Sequence, residues 1–76
     1  MSVRKIKLNE FEDVKDFVRA AEKCDYDVDI SYNRIVIDAK SLMGVLSLDL
    51  TRELTVRYSE EDNMYFSDIL DKYAIS

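Results

Sequence analysis

Apolar residues in this chain switch repeatedly between a spacing of two and a helical spacing within 76 residues, and that switching constrains the fold most. Val3 to Leu8 reads as a strand, with Ile6 and Leu8 two apart. Asn9 offers a helix N-cap, and Glu12 sits three residues later in capping-box spacing. Glu10, Glu12 and Asp13 place negative charge at the positive end of the helix dipole. Phe11, Val14, Phe17, Val18 and Ala21 recur at helical spacing and carry that helix to about Lys23. Val28, Ile30 and Tyr32 alternate with Asp27, Asp29 and Ser31, a half-buried strand. Asn33-Arg34 makes a two-residue turn, because asparagine tolerates positive φ, and Ile35 to Asp38 returns as the next strand. Ser41 caps a short helix over Leu42 to Leu48. Leu54, Val56 and Tyr58 alternate with Thr55, Arg57 and Ser59 in a last strand. Ser59 or Asp62 opens a final helix with Phe66, Ile69, Leu70 and Tyr73 on one face. With no proline and one glycine, Gly44, the connections must be short and nothing reads as a linker. The order βαββαβα predicts one α+β domain over 1–76, an open-faced β-sandwich with helices on one face of an antiparallel sheet.

Composition narrows the function classes. Net charge is −5, with no basic cluster longer than Arg4-Lys5. A nucleic-acid binder draws most of its affinity from phosphate neutralisation, so direct nucleic-acid binding is not expected. The acidity suits a protein partner with basic residues. Apolar runs fall far short of the roughly 20 residues of a membrane span, and Met1-Ser2-Val3-Arg4-Lys5 leads into no secretory apolar region. The single cysteine, Cys24, cannot form an internal disulfide, which suits the cytoplasm. The absence of histidine excludes a Ser-His or Cys-His nucleophile and leaves too few ligands for zinc. One glycine excludes a glycine-rich phosphate loop. Asp25, Asp27 and Asp29 superficially match a calcium loop, but Ile30 and Val36 stand where that loop wants glycine and glutamate. No metal, no cofactor and no enzyme activity are expected.

The middle helix carries more apolar residues than one sheet can cover. Leu42, Met43, Val45, Leu46 and Leu48 spread over roughly 220° at 100° per residue. A helix needs a stripe only a little over about 100° wide to face its core. Part of this cluster must reach water, and an exposed apolar cluster marks a contact site. Ser41, as the N-cap, would stabilise the helix by ~1 kcal/mol in any case.

The run Ala39-Lys40-Ser41-Leu42-Met43-Gly44-Val45-Leu46-Ser47-Leu48, with Asp25-Tyr26-Asp27-Val28 and Tyr32-Asn33, resembles the HPr-like family of the bacterial sugar phosphotransferase system. The resemblance runs from about residue 14 to the end, with one deletion. It implies the strand order 1-4-2-3. It also implies that Leu42, Met43 and Leu46 form the surface that partner proteins use. By the same resemblance, Ser41 matches a serine phosphorylated by a dedicated ATP-dependent kinase, with Lys40 adding positive charge nearby. Partners implied are a serine kinase/phosphorylase and a LacI-type regulator of carbon catabolite control. The expected state is a monomer or weak dimer.

The same resemblance exposes a missing active site. The family loop reads Gly-Leu-His-Ala-Arg-Pro, and its histidine carries the phosphoryl group. An ungapped match places Glu10 at the histidine, Glu12 at the arginine and Asp13 at the proline. Transferring phosphate needs cations or donors around it, and these acids have the wrong sign. The chain therefore reads as a degenerate member with three readings open. The leading one is a non-catalytic regulatory or binding protein working around Ser41, Leu42, Met43 and Leu46. The second is a domain that has lost both phosphorylation roles and binds another protein. The third is a phosphocarrier using Glu10. The shorter loops before Glu10 and over Asp49-Leu50-Thr51-Arg52-Glu53 also open a route to domain swapping.

Overall fold

Seven elements follow in the expected order: β1 (Ser2–Ile6), α1 (Phe11–Glu22), β2 (Val28–Tyr32), β3 (Ile35–Asp38), α2 (Leu42–Leu46), β4 (Leu54–Tyr58) and α3 (Met64–Tyr73). The computed structural model describes residues 2–59 and 64–75. The four strands form one antiparallel sheet in the order β1-β4-β2-β3, as the resemblance implied.

Register explains which face is covered. Ile6 pairs with Leu54, and Val56 pairs with Ile30, which pairs with Ile37. Ile6, Leu54, Val56 and Ile30 are fully buried, so this row faces the helices. Asp29, Arg57 and Asp38 occupy the alternate positions and are exposed on the open face. Each buried Val, Leu, Ile or Phe contributes roughly 1.5–3 kcal/mol of transfer free energy. Phe66 locks three elements together. Its ring lies 5.4 Å from Tyr58 of β4, edge to face, and 6.2 Å from Phe17 of α1.

Several boundaries differ from the sequence-based expectation. β1 ends at Ile6 rather than Leu8. Lys7 donates its amide to the Tyr73 carbonyl at 3.0 Å, while Leu8 is still buried. The N-cap of α1 is Glu10, not Asn9, and the capping acid is Asp13, not Glu12. Phe11 is 53 % exposed and does not join the buried face of Val14, Phe17, Val18 and Ala21. The Lys15 ammonium lies 5.4 Å from its ring centre instead. α2 stops at Leu46, two residues before Leu48. The Ser47 hydroxyl donates to the Gly44 carbonyl at 2.6 Å, and the Leu48 amide donates to the Val45 carbonyl at 3.1 Å. These bonds tighten and end the last turn. Ser59 lies in coil after β4, whereas Asp62 lies outside the described residues. The Asn33-Arg34 turn forms as expected, with Asn33 at φ 55°.

The connection before β4 is held by the Asp49 side chain. Asp49 accepts the Thr51 amide at 3.1 Å and its hydroxyl at 2.6 Å. Those bonds lower the Asp49 pKa below the usual carboxylate value.

Candidate functional site

Ser41 sits with extended backbone just before α2, and its hydroxyl oxygen accepts the Gly44 amide at 3.2 Å. The Val45 amide donates to the Ser41 carbonyl at 2.9 Å. The side chain is exposed and the N-cap role is filled. Behind it, the chain is anchored by Lys40. Its amide donates to the Asp38 carboxylate at 2.9 Å, and its ammonium to the Cys24 carbonyl at 2.9 Å. Lys40 thus ties the entry of α2 to the end of α1. Its charge is directed to that carbonyl, which the sequence did not indicate.

The apolar residues of α2 divide as the circumference argument requires. Val45 is fully buried, Leu42 and Leu46 are half-buried against the core, and Met43 is 78 % exposed. Gly44 explains how close α2 lies to the sheet. A Cβ on Gly44 would stand 2.7 Å from Ile37 Cγ2 and 3.1 Å from Ser41 Oγ, so no larger residue fits without movement. The structure therefore gathers Ser41, Leu42, Met43 and Leu46 on one short segment. Glu10 belongs to a different element, at the start of α1.

At that start, the Asp13 carboxylate accepts the amides of Asn9 at 3.0 Å and Glu10 at 3.1 Å. The donors that open a helix are the groups that would hold a phosphoryl oxygen. Here an internal carboxylate already occupies the N-cap amide of Glu10 and the Asn9 amide just before it. Asp13, three residues after Glu10, was the readable signal for this.

An open groove of about 300 Å³ runs between α1 and α3, lined by Glu12, Asp13, Lys15, Asp16, Arg19, Lys72 and Tyr73. Nothing in the sequence pointed to it. Its centre is Asp16, which accepts the Tyr73 phenol at 2.7 Å and the Lys72 ammonium at 3.2 Å. The Tyr73 bond and then Lys72 hold the Asp16 pKa below the usual carboxylate value. Burial, followed by the Asp16 bond, pushes the Tyr73 phenol up to about 12. Asp16 likewise raises Lys72. The groove's acids are matched by its own cations, so it forms no phosphate cradle.

Comparison with known proteins decides the family. A family model described as the PTS HPr component phosphorylation site matches residues 13–71. The chain belongs to the HPr family. The match includes Ser41 and α2 and begins beyond Glu10. Solved structures agree on the HPr fold. One is HPr-C-His from Thermoanaerobacter tengcongensis, with a TM-score of 0.76 and 18 % identity, covering 95 % of this chain and 93 % of that one. Another is the phosphocarrier protein HPr from Bacillus anthracis str. Ames, with a TM-score of 0.71 and 19 % identity, covering 97 % and 96 %. This HPr-family chain is thus a relative of the small phosphocarriers of the phosphotransferase system. Among the described residues, no helix is long and apolar enough to cross a membrane.

Proposed function

We propose that this HPr-family chain is a non-catalytic binding and regulatory protein of the bacterial cytoplasm that works through α2. The supporting observation is Met43, 78 % exposed on a helix opened by an exposed serine. Leu42 and Leu46 flank it and remain partly accessible. A thioether standing in water is costly to leave there and adaptable against a partner. The partner is a protein with basic surface, in keeping with a net charge of −5. By family resemblance, a serine kinase/phosphorylase and a LacI-type regulator are the classes to test. The Ser41 hydroxyl is the phosphate acceptor, because it is solvent-facing and donates to nothing among the described residues. A phosphate there would present at least about 1.5 negative charges beside Met43 and change which partner docks.

Glu10 does not serve as a phosphate carrier in this reading. The chain has no histidine, and Asp13 already engages the local amides.

The test is incubation with the family's serine kinase and ATP, followed by intact mass. One phosphate on the wild type and none on Ser41→Ala supports regulation through Ser41. An unmodified wild type removes that half of the proposal. Met43-dependent capture of a partner would then leave a docking domain without a phosphorylation role.

A further inference from the structure

One edge of the sheet is partly covered, at the C-terminal end of β1, and the other is open. Along β1, the Ile75 amide donates to the Lys5 carbonyl at 3.3 Å, the Lys7 amide reaches Tyr73, and Ile6 bridges Ala74. β3 has no such cover among the described residues.

The register fixes which groups of β3 are left over. Asp29 faces Asp38, Ile30 faces Ile37, and the Ala39 amide donates to the Val28 carbonyl at 2.9 Å. Residues of an antiparallel pair alternate between bonding toward the partner strand and away from it. Ile35, Ile37 and Ala39 therefore bond toward β2. The amide and carbonyl of Val36, and the amide of Asp38, point away from the sheet. The Asp38 carbonyl is already taken by the Ser41 amide at 3.0 Å. Solitary edge strands are guarded by short length, charge, proline or a bulge, and β3 has its four-residue length and the charge of Asp38. Between them it still shows Val36 63 % exposed and Ile35 51 % exposed, on opposite faces.

The edge is complementary to itself. Set a second copy antiparallel to β3, with Val36 opposite Val36 of the second copy. Ile35 then faces Ile37 of the second copy on the helix side. Arg34 faces Asp38 of the second copy on the open side, and the reverse pair repeats it. Arg34 is exposed and makes no ion pair among the described residues. Asp38 stands directly opposite Asp29, whose other cross-strand neighbour is Arg57, and Asp38 itself makes no ion pair among the described residues. An arginine arriving beside Asp38 supplies the opposite charge that cross-strand pairs favour. The geometry points to a symmetric dimer in which two β3 edges join the four-stranded sheets into one eight-stranded sheet.

The test uses the full chain in sedimentation velocity over a concentration series. The expected result is a concentration-dependent shift from the 8.9 kDa monomer to twice that mass. Val36→Lys sets two ammonium groups face to face at the symmetry axis and should leave only monomer. Arg34→Asp and Asp38→Arg should each weaken self-association by about tenfold, since two like-charge pairs replace two opposite ones. Mixed one to one, they should recover the dimer, because each then supplies the charge the other lacks. Amide exchange at Val36 should slow as the dimer forms. A chain that stays monomeric to millimolar concentration overturns the proposal. A dimer untouched by Val36→Lys, or a mixture that fails to recover, overturns it too. So does protection of the Val36 amide only with a foreign strand.

Discussion

The Asp16 carboxylate accepts the Tyr73 phenol at 2.7 Å and thereby ties α1 to α3 across 57 residues of sequence. Lys72 joins the same carboxylate at 3.2 Å. Replacing Tyr73 with Phe should cost about 1 kcal/mol, the scale of one partly exposed bond to a charged acceptor. Chemical denaturation of the two proteins side by side measures this.

The same pair sets two limits of stability against pH. Asp16 has a folded pKa below its ordinary value, so its contribution is present above that value and is lost as pH falls through the folded one. Tyr73 has a folded pKa raised from 10.0 to about 12, so its contribution is intact below the first value and is lost as pH rises through the second. The wild type should therefore lose stability on both the acid and the alkaline flank. Tyr73→Phe should flatten both slopes. A melting-temperature profile over pH, with tyrosinate absorbance on the alkaline side, checks both signs.

Gly44→Ala should destabilise the protein even though alanine is the better helix former. The gain in propensity is about 1 kcal/mol, while overpacking against a branched side chain costs about 1–3 kcal/mol. A Cβ 2.7 Å from Ile37 Cγ2 puts this position in the costly class. Gly44→Ala/Ile37→Ala, compared with Ile37→Ala alone, should recover the propensity gain.

Met43→Glu should change stability by no more than about 0.5 kcal/mol, because the side chain is mostly in water. Any protein captured through α2 should nonetheless be lost. Ser41→Ala should cost ~1 kcal/mol through its cap alone. Thermal melts of the unmodified variants separate that structural effect from regulation.

Restoring a histidine should not restore phosphate transfer. Glu10→His would still sit beside Glu12, with Asp13 holding the amides of Asn9 and Glu10. Incubation with phosphoenolpyruvate and the family's general enzyme should leave the variant without a covalent phosphate.

Element types were legible because period-two and helical patterns were each carried by buried residues, as at Val28-Ile30 and Val14-Phe17-Val18. Strand order was not in the periodicity and came from the resemblance. Boundaries failed where side chains compete for backbone groups. Asp13 rather than Glu12 reached the free amides, and the Ser47 hydroxyl closed α2 early. The expectation that part of the α2 cluster reaches water was sound, since Met43 does. The Asp16–Tyr73 and Lys40–Cys24 bonds join distant segments and left no local trace.

Ile37 leaves no room for a side chain on α2 at Gly44. A roll that brought a neighbouring side chain to that spot would press it against the strand, which favours one rotational setting of the helix. In that setting Met43 stands on the outer side, where an approaching molecule meets it first.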